Sequence, residues 1–286
     1  MIKKTDFHLP GGRTGVLLIH GLTGTPTEMR LVAKGLNRNG FSVYAMQLAG
    51  HCGDEADLLK TGWHDWYRSV LEAAQQMRKD VDHLFVAGLS MGALLALKLA
   101  ADHPDQVDGL GLYGTTFFYD GWTIPWYGKL SFLLPLVVSL GLGHTRKFHE
   151  CFPYGIKDER IRQRIAGSML SGDSAAAGLA GNPWPSLAEF YRLSFRVRQQ
   201  LRSVHTPCLV IHASNDDVAS LKNVRTVVRG VRGPVETVLL DNSYHMITVD
   251  QQRDVLIDRS TRFFNEVAAA RVAPMHEPAH IAAIID

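Results

Sequence analysis

The chain has 286 residues, of which 46% are hydrophobic and 20% charged, and its formal net charge is +2 at pH 7. This composition is typical of a globular protein with a sizeable core, and the absence of a basic stripe argues against a nucleic-acid partner. The three cysteines, Cys52, Cys151 and Cys208, are odd in number and far apart, so they indicate no disulfide framework.

The sequence patterns predict neither a secretory signal nor a membrane-spanning segment. Its first fifteen residues contain two lysines but no apolar core of a secretory signal. The longest apolar stretch, residues 130–142, is too short for a bilayer and is interrupted by Pro135. We therefore expect a cytoplasmic protein without a membrane span.

Short apolar runs alternate with helical patterns over most of the chain, which predicts a mostly parallel sheet covered by helices. The predicted strands are residues 16–20, 41–47, 83–87, 107–113, 208–213 and 235–240. The predicted helices are residues 26–39, 63–79, 91–101, 221–230 and 251–269. The first helix begins with a capping box, in which Thr25 is the N-cap and Glu28 the third helical residue.

The alternation stops between residues 115 and 195, where tryptophans, prolines and apolar runs without strand periodicity indicate a helical insertion. The predicted organisation is therefore a core of residues 1–114 and 196–270, a helical cap of residues 115–195, and a tail of residues 271–286. His276 and His280 in this tail have metal-ligand spacing but no accompanying carboxylates, so we predict no metal site there.

The segment Gly88-Leu89-Ser90-Met91-Gly92 is the only GxSxG pentapeptide and lies between a predicted strand and a predicted helix. In such a strand-to-helix turn the serine has a strained backbone, and its hydroxyl is exposed at the carboxyl edge of the sheet. Ser90 is therefore the candidate nucleophile for acyl transfer.

A serine hydroxyl needs a base, usually a histidine that a carboxylate orients. His245 follows the predicted strand 235–240 and is the candidate base. Asp216 and Asp217 follow the strand 208–213, and Asp241 is a third candidate for the carboxylate. The offset from the strand favours Asp216, and the order Ser90, Asp216, His245 is that of α/β-hydrolases.

The negative oxygen of a tetrahedral intermediate needs two backbone donors. One is the N–H group of Met91, directly after the nucleophile. The other is expected from the glycine-containing loop at residues 20–24, where the Leu22 N–H group is the natural donor.

Several segments together resemble the monoacylglycerol lipase and bacterial carboxylesterase branch of the α/β-hydrolases. These segments are HGLTGTP (20–26), AGH (49–51), VAGLSMGALLALKLA (86–100), SNDDV (214–218) and SYHMITVD (243–250). The resemblance implies an α/β-hydrolase fold with a helical cap insertion. It supports Ser90, Asp216 and His245 as the triad, and it implies hydrolysis of small carboxylic esters without a metal or organic cofactor. Thioester cleavage, carbon–carbon bond hydrolysis and non-catalytic binding are the alternatives.

We expect the cap to determine most of the substrate choice. We expect Trp122, Trp126 and Phe132 to line a pocket for an apolar acyl chain, and His51 either to contact the substrate or to stabilise its turn. The apolar stretch 126–142 is either a lid that binds acyl chains or lipid surfaces, or a helix that buries one face on the core.

Residues 109–114 match GxGxxG, but they lie in a predicted strand with no suitable helix after them, which argues against a dinucleotide site.

Overall fold

The computed structural model describes residues 2–172 and 174–272. The predicted tail beyond residue 272, including His276 and His280, lies outside these described residues. In chain order the strands are β1 (Phe7–Leu9), β2 (Thr14–Ile19), β3 (Ser42–Met46), β4 (His83–Leu89), β5 (Gly109–Tyr113), β6 (Lys147–His149), β7 (Gly181–Pro183), β8 (Cys208–Ala213) and β9 (Val235–Leu240). The helices are α1 (Arg30–Arg38), α2 (Glu55–Leu59), α3 (Trp63–Arg78), α4 (Met91–Asp102), α5 (Leu134–Ser139), α6 (Glu159–Leu170), α7 (Ser174–Ala177), α8 (Trp184–Gln200), α9 (Lys222–Gly230) and α10 (Arg253–Val272).

Within the described part of the chain, seven strands form one sheet in the order β1-β3-β2-β4-β5-β8-β9. All neighbouring strands in it are parallel except β1, which pairs antiparallel with β3 at the edge. The predicted mostly parallel sheet is therefore confirmed. The edge strand β1 and the short helix α2 were not predicted, because three to five residues are too few to establish a periodicity.

The central strands β2, β4, β5 and β8 are buried on both faces, which is why they are almost continuously apolar, whereas the edge strands β1 and β9 are partly exposed. Along β2, Leu17 and Ile19 point into one core with residues of α3, α4 and α9, while Val16 and Leu18 point into the other. The second core contains residues of α1 and α10. This burial fixes the carboxyl ends of the strands, from which the loops of the site emerge.

The chain between β5 and β8 contains helices α5 to α8, as the sequence indicates, and also the antiparallel pair β6–β7. Helix α8 runs across residue 195, where the predicted cap ends, because its buried face packs against α4. Hydrogen bonds join this segment to the loops that follow three strands: Leu179 N–H to Thr23 O, Thr123 N–H to Asp217 O, and Met246 N–H to Gly155 O. The segment therefore covers the carboxyl edge of the sheet.

In the described ranges, none of the helices combines the length and the apolarity that a membrane crossing requires.

Candidate active site

Ser90 lies in a sharp turn between β4 and α4, with φ 56° and ψ −114°. A Cβ atom on Gly88 would lie 2.2 Å from the carbonyl carbon of Gly92, and a Cβ on Gly92 would lie 2.3 Å from Ile19 O. Only glycine fits at these two positions, so the turn can pack tightly. The positive φ of Ser90 is the backbone strain expected of a nucleophile held at the end of a strand.

His245 and Asp216 meet through a pair of short contacts. The distances from His245 Nδ1 to the two carboxylate oxygens of Asp216 are 2.9 Å and 3.1 Å, and both residues are buried. The N–H groups of Val218 and Ala219 donate to Asp216 Oδ1 at 2.8 Å and 2.7 Å. The carboxylate is therefore fixed by its own loop, and it can orient the imidazole.

The other two candidate carboxylates make different contacts. Asp217 accepts the backbone N–H of His245 at 3.1 Å and that of Gly155 at 3.0 Å, so it joins the histidine loop to the segment between β5 and β8. Asp241 accepts a hydrogen bond from the Gln252 side chain at the surface. Of the three aspartates, only Asp216 contacts the imidazole ring.

The environment changes the pKa of both members of this pair. Burial opposes the charging of His245, but the charge and hydrogen bond of Asp216, with the charges of Asp217 and Glu150, outweigh it and raise the pKa of His245. Burial also disfavours the Asp216 anion, yet His245, the charge of His212 and the Ala219 N–H group hold the pKa of Asp216 below its usual value. The imidazole can therefore gain a proton next to a carboxylate that stays ionised.

Thr116 is a polar neighbour of Ser90, the candidate nucleophile, that the sequence did not reveal. The Ser90 hydroxyl donates to Thr116 Oγ1 at 3.1 Å, and the Thr116 hydroxyl donates to Gly114 O at 2.9 Å. Gly114 lies against His245, since a Cβ there would be 3.4 Å from its Cε1 atom. A proton transfer from Ser90 to His245 thus requires the serine hydroxyl to turn away from Thr116.

Both expected oxyanion donors are close to Ser90. Leu22 lines the same cavity as Ser90, and Met91 follows Ser90 directly in the sequence. In the described part of the chain, the backbone N–H groups of Leu22 and Met91 donate to no protein acceptor. Gly21 O accepts a hydrogen bond from His20 Nδ1 at 2.9 Å, and His20 Nε2 accepts from Leu48 N–H at 3.1 Å. His20 thus fixes the peptide plane between Gly21 and Leu22, which leaves the Leu22 N–H group available to a ligand.

Ser90, His245 and Leu22 line one cavity of about 570 Å³. This volume lies within the range of small-molecule sites. Apolar side chains from the segment between β5 and β8 form much of its wall: Ile156, Ile165, Ala166, Met169, Phe148 and Leu187. The cavity therefore combines the candidate nucleophile and the candidate base with space for an apolar group.

The residues predicted to bind substrate do not line this cavity. Trp126, Trp122 and Phe132 are 77%, 53% and 51% exposed. Trp122 Nε1 donates to Asn215 O, and its ring packs edge-to-face on Tyr244, so Trp122 braces the loops of Asp216 and His245 from outside. His51 is buried and packs against His20 and Trp66.

Glu150 and Asn182 add a polar side to the cavity that the sequence also did not reveal. Asn182 Nδ2 donates to Glu150 Oε1 at 2.6 Å. Burial raises the pKa of Glu150, and its charge acts on His245. These residues lie near the antiparallel pair β6–β7, whose three-residue strands have no recognisable sequence pattern.

The chain is similar in sequence to known hydrolases. The profile of the Hydrolase_4 family, described as serine aminopeptidase, S33, matches residues 12–252. The chain is 30% identical to a thermostable monoacylglycerol lipase from Bacillus sp. (strain H-257), over 90% of this chain and 93% of the relative. It is 23% identical to a carboxylesterase from Bacillus subtilis (strain 168), over 90% of this chain and 94% of the relative.

A solved structure from work on the metagenome-derived lipolytic enzymes LipS and LipT has the same fold, with a TM-score of 0.76 at 24% identity, over 93% of this chain and 100% of the other. The sheet order, the serine turn and this match define an α/β-hydrolase. The chain belongs to the Hydrolase_4 family, and it is a carboxylic ester hydrolase.

Proposed function

We propose that the protein hydrolyses carboxylic esters with an apolar acyl chain through an acyl-enzyme at Ser90. The observation that carries the proposal is the contact of His245 Nδ1 with Asp216 beside a cavity that Ser90 also lines. His245 is the general base, Asp216 orients it, and the amides of Leu22 and Met91 stabilise the oxyanion.

The reaction takes place in two halves. Ser90 Oγ attacks the ester carbonyl while His245 takes the hydroxyl proton, and collapse of the tetrahedral intermediate expels the alcohol, which receives that proton. A water molecule then gives a proton to His245 and attacks the acyl carbon. Breaking the bond from Ser90 Oγ to the acyl carbon releases the carboxylic acid and returns the proton to Ser90.

Labelling with a fluorophosphonate tests the nucleophile, because this reagent reacts with activated serines. We expect the wild-type protein to be labelled and the Ser90→Ala variant to be unlabelled. Labelling of Ser90→Ala at the wild-type level would reject the assignment. A panel of p-nitrophenyl esters and acyl thioesters, with a carbon–carbon hydrolase substrate, then separates esterase activity from the two alternative reactions on the same scaffold.

The polar side of the cavity supports a more specific substrate, a monoacylglycerol. Glu150 and Asn182 offer a carboxylate and an amide on the cavity wall, and the charge of Glu150 acts on His245. These groups suit the two free hydroxyls of a glycerol leaving group, whereas the apolar wall suits the acyl chain. The monoacylglycerol lipase among the relatives is consistent with this division.

Two esters with the same acyl chain test the glycerol site. We expect Glu150→Ala to raise KM for monodecanoylglycerol about tenfold, because it removes a charged hydrogen-bond partner of the glycerol. The same variant should change KM for p-nitrophenyl decanoate by less than about twofold. An equal change for both esters would assign Glu150 to the acyl group or to folding.

The exposed apolar side chains of the segment between β5 and β8 support peripheral contact with lipid. Large hydrophobic residues are at least half exposed at positions including Trp126, Tyr127, Leu136, Leu140 and Phe152. Four of these side chains belong to the stretch 126–142, and apolar residues that are exposed together are typical of an interaction site. Flotation with phosphatidylcholine vesicles tests the contact, and a wild-type protein that stays in the lipid-free fraction would contradict it.

A further inference from the structure

Glu28 lies on the 3-10 turn Pro26–Met29, where its carboxylate reaches back to the loop that carries Leu22. Gly21 N–H donates to Glu28 Oε1 at 2.7 Å. A Cβ atom on Gly24 would lie 2.6 Å and 2.7 Å from the two carboxylate oxygens, so this glycine is pressed against the side chain. The sequence pattern assigned Glu28 to helix capping, but its carboxylate also holds the tight turn of residues 21–24.

We propose that Glu28 is a positioning residue for the oxyanion hole and acts through the Gly21 amide. The inference rests on the proposed function, since it assumes that Leu22 N–H stabilises the oxyanion. Gly21 is held from both sides, because Glu28 accepts its N–H group and His20 donates to its carbonyl oxygen. Gly21 also approaches the nucleophile, since a Cβ on it would lie 3.6 Å from Ser90 Cβ.

The hydrogen bond between Glu28 and Gly21 also affects the Leu22 N–H group, which is one peptide bond further along the chain. An oxyanion donor stabilises the intermediate only when it is aimed in advance at the position where the charge develops. Loss of the contact at Gly21 N–H frees one side of the turn, and the Leu22 donor then has to be ordered during the reaction. This lowers kcat and leaves the binding of the ground-state ester nearly unchanged.

Glu28 carries a titratable charge next to the site. Burial raises the pKa of Glu28 to about 7, while the amides of Gly21 and Thr25 and the charge of His245 act in the opposite direction. The other ionisable groups around it are the Cys52 thiol, on which its charge acts, and Arg30 and Arg164, which line an adjoining cavity that Glu28 also borders. The Glu28 anion favours protonated His245, so its neutralisation should lower the pKa of His245.

The test compares Glu28→Ala, which removes the acceptor, with Glu28→Gln, which keeps a carbonyl oxygen for Gly21 N–H but has no charge. With p-nitrophenyl butyrate at pH 8, we expect Glu28→Ala to lower kcat about 10- to 100-fold, with KM within about threefold of wild type. Glu28→Gln should retain kcat within about threefold, because a neutral acceptor still holds the amide. The acid limb of the pH profile of kcat/KM of Glu28→Gln should shift to lower pH, because loss of the Glu28 charge lowers the pKa of His245.

Inhibition by an aryl trifluoromethyl ketone, which forms an oxyanion on Ser90, supplies the second readout. Its affinity should fall in Glu28→Ala by the same factor as kcat/KM. Thr27→Ala, on the same turn, is the control and should leave kcat and inhibitor affinity unchanged. If Glu28→Ala does not fold, Gly24→Ala replaces it, because the added methyl group displaces the carboxylate and should cause the same loss of kcat.

Unchanged kcat and inhibitor affinity in Glu28→Ala, or equal losses in Glu28→Ala and Glu28→Gln, would overturn the proposal. A lower melting temperature with normal kcat per titrated active site would also overturn it, since Glu28 would then serve folding alone. The proposed function fails separately, and only if Ser90→Ala keeps its activity and its fluorophosphonate labelling.

Discussion

The cavity has one wall on the sheet side and one formed by the segment between β5 and β8, and the side chains of these walls differ in how deeply they are buried. On the sheet side, Ser90, Asp216 and His245 are buried. Ser90 and Asp216 follow the buried strands β4 and β8, and His245 follows the edge strand β9. On the other side, the segment between β5 and β8 contributes apolar residues to the cavity and also leaves large ones such as Trp126 exposed. Under the proposed function, the chemistry belongs to the buried, rigid wall, and the choice of acyl group belongs to the wall formed by the inserted segment.

Two buried carboxylates join these walls. Asp217 holds the N–H groups of His245 and Gly155, as described above. Asp250 accepts the N–H groups of Lys157 and Asp158 at 2.9 Å and 3.0 Å, and that of Tyr244 at 2.9 Å. The start of α6 is thereby fixed to the histidine loop. Because these two aspartates belong to both walls, residues that belong to a single wall distinguish the roles of the walls most clearly.

The largest effect is expected at Asp216, which belongs to the rigid wall. Asp216→Asn should lower kcat about 10³- to 10⁴-fold, because the amide no longer stabilises the imidazolium or selects the correct tautomer. Asp217→Asn is the matched control and should lower kcat less than about tenfold, since the carboxylate of Asp217 accepts hydrogen bonds from the backbone N–H groups of His245 and Gly155 and not from the imidazole. Steady-state kinetics with p-nitrophenyl butyrate measures both. A greater loss in Asp217→Asn would exchange the roles of the two aspartates.

The pH dependence tests the same wall. His245 acts as a base only when its imidazole is neutral, so kcat/KM should fall as the pH decreases through the pKa of His245. Because Asp216 raises that pKa, the midpoint of the acid limb should lie above the value of about 6.5 of a free imidazole. The residual activity of Asp216→Asn should have a lower midpoint. A midpoint that does not move between the two proteins would contradict the electrostatic role of Asp216.

A smaller and more selective effect is expected at Ala166, on the cavity side of α6. Ala166→Phe fills part of the apolar wall and should lower kcat/KM for p-nitrophenyl decanoate about tenfold, with less than about a twofold change for the acetate. Gly167→Phe is the control, because a Cβ there meets no atom within 4 Å. If Ala166→Phe reduces hydrolysis of both esters equally, the wall does not select the acyl chain.

The sequence predicted the sheet and the helices that cover it, because buried parallel strands and amphipathic helices have distinct periodicities. It also brought Ser90, Asp216 and His245 to one edge, since the loops after parallel strands meet there. The contacts of Thr116 and Glu150 escaped prediction, because they join segments that are far apart in the chain or that lack a pattern. Glu28 was predicted as a capping residue, but its hydrogen bond with Gly21 N–H was not predicted. The exposed position of Trp126 was equally hidden, since aromatic residues in an irregular segment suit a pocket and a surface alike.

The smallest effect on monomeric esters is expected at Trp126, whose side chain is outside the cavity. Trp126→Ala should change kcat/KM for p-nitrophenyl butyrate and decanoate by less than about twofold, because the exposed Trp126 side chain does not line the cavity. The same variant should bind phosphatidylcholine vesicles less than wild type in the flotation assay, because it loses an exposed aromatic ring. Phe132→Ala is the parallel test at a second exposed residue. A shift of chain-length preference on monomeric esters, by contrast, would return Trp126 to the acyl pocket that the sequence predicted.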